Sequence, residues 1–182
     1  MSGDSLQEAV TAFLEPFRAA LGVLDGRGDI VIPRRGSLIT SKDYSWVLNP
    51  ERGMKLGDVG TLYASMRFQV LDYGRGPKEF GKRFRVTILG YNYRLEQPNG
   101  GDRWRMHWHP DGVSNVKEPH LHIPPDLKAH RRCDQMTFEN AIRWCIADRA
   151  PLTCTPQEAE DELSRWQEPP DLGELPVQRG GP

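Results

Sequence analysis

Two closely spaced histidine pairs are the residues of this 182-residue chain whose type and spacing could do chemistry. They are His107-Trp108-His109 and His120-Leu121-His122, and His130 completes the five histidines of the chain. Residues two apart in a β-strand point to the same face, about 6.6 Å apart, so each pair would present two imidazole rings side by side. If the two segments pair as neighbouring strands, we expect the four paired rings to share one face of a sheet.

Three interpretations of the paired histidines remain open from the sequence. In the favoured one, they supply acid/base groups for metal-independent RNA cleavage, in which one ring takes the 2′-hydroxyl proton and another protonates the leaving oxygen. In the second, the same rings ligate zinc, iron or nickel in a metal-dependent enzyme or metal-binding module. In the third, they form the polar face of strands whose Trp108 and Leu121 pack in the core. The first interpretation assigns catalysis to His107, His109, His120 and His122, and it needs no cofactor.

Basic and aromatic residues near the histidines would serve an RNA substrate. Arg103 and Arg105 would hold phosphate, and Lys117 would add a fixed cation that stabilises developing charge. Tyr91 and Tyr93 lie two apart on a preceding strand, where they could stack on a base or donate hydrogen bonds. Aromatic packing between strands is the alternative for the tyrosines. These five residues are the candidate substrate-binding set.

The formal net charge of −1 hides an uneven distribution along the chain. Residues 1–74, 75–132 and 133–182 carry formal charges of −1, +6 and −6. Such an asymmetry can indicate a face that binds polyanions, although solvated strand faces often carry arginine and lysine as well. The basic segment also contains every histidine, so a local anion site and the candidate chemistry coincide. An alternative for the whole chain is a non-enzymatic interaction protein that uses this basic face and the acidic tail to bind a partner.

The segments that hold the histidines have the pattern of antiparallel strands. They alternate and are rich in β-branched and aromatic residues. A strong turn pattern at residues 97–102 predicts a hairpin. The four predicted strands of this meander are residues 61–73, 82–96, 103–109 and 120–123. With shorter strands upstream, we predict an antiparallel sheet over residues 44–123.

Three helices are predicted outside the sheet. The capping box Ser5-Leu6-Gln7-Glu8 begins an N-terminal amphipathic helix, which Pro16 should end or kink. After Pro124-Pro125 the apolar period changes, and a second helix is predicted whose apolar side is Met136, Ala141, Ile142, Cys145 and Ile146. The segment Thr155-Pro156-Gln157-Glu158 begins a last helix that reaches about Gln167. The sequence therefore predicts an α+β fold, with an antiparallel β-meander packed by an N-terminal helix and two C-terminal helices.

Length and composition favour one domain. We predict a single α+β domain over residues 1–167, with its His-rich sheet region at 61–132, and a disordered tail over 168–182. The three cysteines form no disulfide framework, which favours a reducing compartment. The N-terminus lacks a signal-peptide pattern, and no apolar run approaches the roughly 18 residues of a membrane span. We therefore expect a cytoplasmic protein without a membrane partner.

Residues 82–123 resemble the centre of TumE-type toxins of bacterial toxin–antitoxin pairs. The resemblance rests on a strand of alternating tyrosines, a turn, an Arg-aromatic-Arg strand and a closing strand similar to the Pro-His-His-x-His strand of that family. These segments are Tyr91-Asn92-Tyr93-Arg94-Leu95, Asn99-Gly100-Gly101-Asp102, Arg103-Trp104-Arg105 and His120-Leu121-His122. The resemblance implies a small α+β toxin that acts inside the cell on RNA and is neutralised by an antitoxin. We therefore predict a cytoplasmic toxin-like ribonuclease whose partners are RNA and a cognate antitoxin protein.

Overall fold

One large sheet with three helices organises the chain. The computed structural model describes residues 1–33, 36–74, 82–112 and 115–166. The strands are β1 (Ser2–Gly3), β2 (Ile30–Val31), β3 (Asp43–Leu48), β4 (Met54–Lys55), β5 (Thr61–Asp72), β6 (Phe84–Glu96), β7 (Asp102–Trp108), β8 (His120–Ile123) and β9 (Asp126–Arg132). The helices are α1 (Leu6–Gly22), α2 (Phe138–Ala147) and α3 (Pro156–Arg165), with a short 3-10 turn at Gly57–Val59.

The described strands form a nine-stranded sheet in which each pair of neighbours is antiparallel. The main order is β2-β3-β5-β6-β7-β8-β9, while β1 pairs with β6 and β4 pairs with β5. The predicted α+β fold, with its antiparallel meander, N-terminal helix and two C-terminal helices, is confirmed. Because β7, β8 and β9 are consecutive neighbours, the histidine-bearing segments lie side by side.

The inner face of the sheet carries the hydrophobic core. Helix α1 packs against β5 and β6, α2 packs against β6, and α3 packs against α1. Aromatic rings join these layers, with the Phe17 and Trp46 centroids 5.2 Å apart and the Trp46 and Phe138 centroids 5.4 Å apart. The strand alternation buries Met106 on this face. It sends the neighbouring His107 to the opposite face, which we call the outer face.

Glycines shape the β6–β7 pair that carries the first histidines. Gly100 and Gly101 both have φ +83° in the turn between these strands, which confirms the hairpin predicted at residues 97–102. Gly90 on β6 has φ +158°, and a Cβ there would lie 2.7 Å from the carbonyl oxygen of Trp108. Only glycine allows the end of β7 to approach β6 so closely. This approach fixes the strand end that His109 follows.

The N-terminal helix begins as predicted but extends further. The Ser5 side chain accepts a hydrogen bond from the Glu8 backbone N–H and caps α1. Pro16 does not end the helix, because α1 continues to Gly22. Proline removes one backbone donor from the helix. Pro16 is buried on the core side of α1.

Both C-terminal helices start at threonine caps. Thr137 caps α2, and Thr155 forms the predicted capping box with Glu158 at the start of α3. Helix α3 ends at Arg165, whereas its predicted end, about Gln167, lies outside the described residues. The disordered tail predicted for residues 168–182 lies outside them too.

Strand β9 is the main element that sequence patterns missed. The predicted sheet ended at residue 123, but Asp126–Arg132 pairs antiparallel with β8 and forms one edge of the sheet. The side chains of β9 are almost all exposed, so the apolar alternation that marks a half-buried strand is missing there. Strand β9 carries His130, so this strand decides where the fifth histidine lies.

Two further expectations concern residues outside the sheet pattern. Cys133, Cys145 and Cys154 are all free thiols, as expected for a chain without a disulfide framework. Among the described helices, none has the length and apolar character needed to cross a membrane.

Candidate metal centre

Five histidines converge on the outer face of β7, β8 and β9. In the antiparallel register, His107 on β7 lies opposite His120 on β8. Strand β8 also carries His122, β9 carries His130, and His109 directly follows β7. The ring centroids of His107 and His120 are 4.1 Å apart, and those of His122 and His130 are 4.7 Å apart. We call these five residues the histidine cluster, which contains all four histidines predicted as site residues.

The interior of the histidine cluster is shielded from solvent. His120 is 0% exposed and His122 is 7% exposed. His107 and His109 are half-buried, while His130 covers its neighbours from the exposed edge strand. Leu121 alternates with the β8 histidines and packs against the core. The middle strand is therefore buried on both faces at this point.

Backbone carbonyl groups fix the protonation of the two buried rings. His120 Nδ1 donates to the Glu118 carbonyl oxygen at 2.8 Å, and His122 Nδ1 donates to the Leu127 carbonyl oxygen at 2.8 Å. A carbonyl oxygen can only accept, so each Nδ1 carries the hydrogen and each Nε2 presents a lone pair. Histidines that ligate metals are oriented in this way by their second ring nitrogen.

Four ring nitrogens of the histidine cluster are buried without a hydrogen-bond partner among the described residues. Seven buried side-chain polar atoms in the described chain have this property, and the four imidazole nitrogens are the majority. These four atoms are Nε2 of His107, His120 and His122 and Nδ1 of His109. An unsatisfied buried polar atom costs about 1–3 kcal/mol. Their concentration in one cluster indicates a shared partner.

The ligand nitrogens form two overlapping triads. His107, His109 and His120 make one, and His120, His122 and His130 make the other, with the nitrogens of each triad within 4.8 Å of one another. Around a tetrahedral zinc ion with Zn–N bonds of about 2.0–2.1 Å, ligand nitrogens lie roughly 3.3 Å apart. Modest ring rotations would therefore bring either triad onto an ion. Because His120 has only one free lone pair, it can serve one ion at a time.

Three rings of the histidine cluster, those of His107, His120 and His122, favour the neutral form. Burial, with smaller effects of the surrounding histidines and Arg105, lowers the pKa of His107 to about 3. Burial is also the main cause of the lowered pKa values of His120 and His122. Neutral imidazole is the form that ligates metals. The protein environment thus prepares these rings as ligands.

The predicted basic residues are only partly brought to the histidine cluster. Arg105 lies opposite His122 and shares its face, while its guanidinium donates to Asp102. Arg103 instead pairs with Asp148 at the end of α2, with 2.9 Å between Nη1 and Oδ1. Lys117 donates to the Gly112 carbonyl oxygen within the β7–β8 loop. Of these three predicted basic residues, Arg105 is therefore the one that lies beside the histidine cluster.

Tyr91 and Tyr93 lie on the other side of the sheet from the histidine cluster. Their rings stack at 4.8 Å in the core, where Tyr93 is fully buried. The Tyr91 hydroxyl accepts a hydrogen bond from the Met136 N–H at 2.9 Å. The residue between them, Asn92, is the register partner of His107, so strand alternation turns both tyrosines inward. The prediction that they contact a substrate beside the histidines is corrected to core packing.

His130 is the residue that the predicted site set lacked. Its ring centroid lies 4.8 Å from that of His120 and 4.7 Å from that of His122. The available signal was the turn at Pro124-Pro125, since a hairpin around it returns residue 130 to the neighbourhood of residue 122. The fifth histidine completes the second triad.

No protein-family model, curated protein or solved structure matches this chain. The resemblance of residues 82–123 to TumE-type toxins therefore stays a prediction.

Proposed function

We propose that this protein binds one divalent transition-metal ion at the histidine cluster, with zinc the best fit and nickel or iron as alternatives. The observation that carries the proposal is the set of four buried imidazole nitrogens without hydrogen-bond partners among the described residues. Imidazole suits all three metals, and zinc accepts tetrahedral sites of nitrogen ligands. One ion would satisfy several of these nitrogens at once.

The geometry favours a metal ligand set over a polar strand face. Histidines on an ordinary solvated face would direct their ring nitrogens to water. His120 is fully buried, and its Nε2 lies among other imidazoles instead of solvent. The two Nδ1 hydrogen bonds to carbonyl oxygens also hold the lone pairs of His120 and His122 inside the cluster. Orientation of this kind is the usual second contact of metal-bound histidine.

The same geometry favours a metal over acid/base catalysis by the rings themselves. A general acid must carry a proton, and a charged imidazolium in the cluster would lie beside neighbouring rings with centroids 4.1–5.4 Å away. Two of the rings are also largely removed from water, which disfavours the charged form. Metal-independent cleavage of RNA remains a prediction from the sequence.

The all-imidazole ligand set determines the chemistry that an ion could supply. Neutral ligands leave the ion its full positive charge, and a triad leaves a fourth position of a tetrahedral site for water or substrate. Such an ion can polarise a bound oxygen and lower the pKa of bound water. We propose a catalytic type of centre, since His130, His107 and His109 lie at or near the surface.

Elemental analysis of purified protein tests the metal proposal. After saturation with zinc and dialysis, we expect one ion per chain, in agreement with the single lone pair of His120. The His120→Ala variant should lose the ion, while Asn92→Ala, one strand away on the same face, should retain it. Circular dichroism confirms that both variants are folded. Zinc well below one equivalent in the wild-type protein would overturn the proposal.

A further inference from the structure

A polar groove lies beside the histidine cluster on the outer face of the sheet. Its volume is about 300 Å³, which is the lower end of the range for small-molecule sites. We call it the outer groove, and the strand residues that line it include Val47, Tyr63, Ser65, Asn92, Arg94 and Arg105. These side chains come from four neighbouring strands, so the groove crosses the sheet instead of following one strand.

Strand register joins the outer groove to the histidine cluster without interruption. One row of Cα partners runs from Ser65 to Asn92, then to His107 and His120. Paired residues in neighbouring strands lie roughly 5 Å apart and project from the same face. His107 is therefore one strand away from the groove residue Asn92. A molecule in the groove would reach the cluster across the single step from Asn92 to His107.

A second row of paired residues places an arginine between the outer groove and the histidine cluster. Arg94 pairs with Arg105, and Arg105 pairs with His122. Arg105 lines the outer groove, and its positive charge acts on both His107 and His122. Its Nη2 donates to Asp102, but its Nε is buried without a hydrogen-bond partner among the described residues. One directed donor of this guanidinium thus remains for a ligand.

The charged side chains between the outer groove and the histidine cluster determine which ligand fits there. Arg94 forms ion pairs with Glu96 at 3.1 Å and with Asp102 at 3.6 Å, and Asp102 also accepts from Arg105. Two carboxylates therefore offset the two arginines, and Glu51, which also lines the groove, adds one further negative charge. Imidazole binds a metal in its neutral form, so the two positive charges of a bound divalent ion exceed the one negative charge of Glu51 and lack a full offset. An anionic group would supply it.

We infer that the outer groove binds a small organic oxyanion, a carboxylate or a phosphate monoester, at the metal ion. One oxygen binds the ion, a second accepts from Arg105 Nε, and the organic part lies in the groove against Tyr63 and Val47. The inference rests on the proposed metal site, because it places the anion on the bound ion. It assigns Arg105 to ligand binding, and it adds Ser65 and Asn92 to the site.

Cobalt-loaded protein gives a readout that does not require activity. Benzoate and phenyl phosphate, added separately, should change the visible spectrum of the bound cobalt in a saturable way. The Arg105→Gln variant should bind cobalt fully but bind the preferred anion roughly 10- to 100-fold more weakly, as expected for a charged hydrogen bond. Arg67→Gln is the matched control, since Arg67 pairs with Asp43 on the outer face outside the groove.

A groove-filling variant separates binding in the groove from binding to cobalt alone. Ser65→Leu should weaken the binding of benzoate or phenyl phosphate while leaving formate, which has no organic tail, unchanged. The tighter of the two aromatic anions identifies the carboxylate or the phosphate as the ligand class. Full cobalt binding with no spectral response to either anion overturns the inference while the metal site stands. Equal anion affinity in Arg105→Gln and wild-type protein also overturns it, and failure to bind cobalt overturns both proposals.

Discussion

His120 holds the central position among the five histidines. It belongs to both triads, it is fully buried, and its Nδ1 donates to the Glu118 carbonyl oxygen. Its single free lone pair makes the two triads alternatives around one ion. His130 belongs to one triad and lies on the exposed edge strand. The two residues should therefore differ in their importance for metal affinity.

The first prediction compares these two histidines. Loss of the hydrogen-bond partner behind a metal ligand typically lowers metal affinity by about 10–100-fold. Because His120→Ala removes the ligand itself, we expect it to weaken zinc binding by roughly 100-fold or more. His130→Ala should have a smaller effect, because the other triad keeps its three ligands. Competition with a chromogenic chelator measures both affinities. A larger loss for His130→Ala than for His120→Ala would contradict the assignment of His120 as the shared ligand.

The second prediction concerns the pH dependence of the metal-free protein. The folded-state pKa of His107 is about 3, below its ordinary value of 6.5, so between these values the unfolded chain binds a proton that the folded protein does not. Stability should therefore fall as the pH falls through this window. The groups that act on His107 are His109, His120, His122 and Arg105.

Urea denaturation in the presence of EDTA measures this effect at pH 7 and pH 5. The unfolding midpoint should be lower at pH 5, and the difference should be smaller in His107→Gln, which has no imidazole to protonate. The same decrease in the variant and in the wild-type protein would show that other groups cause it.

At the scale of elements, the metal site depends on an edge strand. Strand β9 pairs only with β8 in the main order of the described strands, and its side chains are almost all exposed. His130 links β9 to the buried rings of His120 and His122. A bound ion would therefore tie this edge to the rest of the sheet.

The third prediction follows from this connection. Zinc should slow amide hydrogen exchange in Asp126–Arg132, because opening of β9 would require release of a ligand. The β2 edge at the other end of the sheet should be unaffected and serves as the internal control. Equal exchange of β9 with and without zinc would mean that His130 is not a ligand.

The sequence predicted the elements whose burial alternates and missed the one whose burial does not. Strand β5 alternates buried and half-buried residues over most of its length, and capping residues marked the start of each helix. Strand β9 is exposed on both faces, so its position depends on pairing with β8 instead of a pattern in its own residues. The predicted site set lacks His130 for the same reason.

The candidate site shows a similar limit. The spacing of the two histidine pairs was enough to place four rings on one face. The sequence did not determine which face Tyr91 and Tyr93 occupy, since this depends on their register with β7. The tautomers of His120 and His122 were also beyond sequence patterns, because they depend on carbonyl groups of Glu118 and Leu127. These contacts shift the balance from acid/base chemistry to metal binding.

At the scale of the whole molecule, metal binding should be coupled to folding. The ligands come from β7, β8, β9 and the residue after β7, so the unfolded chain lacks the assembled site. The fourth prediction is that zinc at about 100 times its dissociation constant stabilises the fold by about 2.7 kcal/mol. For a chain of this size, the melting temperature should rise by roughly 5–10 °C.

Differential scanning fluorimetry measures this shift. Magnesium, which prefers oxygen ligands, should give little or no stabilisation at the same concentration. His120→Ala should also lose most of the zinc response. A zinc response that is unchanged in His120→Ala would place the stabilising ion elsewhere.

The charge distribution gives the last prediction, which concerns RNA. Residues 75–132 carry +6 and contain the whole histidine cluster, so an anionic polymer could approach the ion from this segment. If the protein cleaves RNA through a bound metal, EDTA should abolish cleavage and added zinc should restore it. If it uses the rings alone, cleavage should survive EDTA but be lost in His122→Ala, whose carbonyl-oriented ring is buried in the cluster. Gel analysis of a labelled RNA after each treatment separates the two mechanisms, with Arg67→Gln as a control for nonspecific loss of charge. Cleavage that survives both EDTA and His122→Ala would contradict a role for His122 in either mechanism.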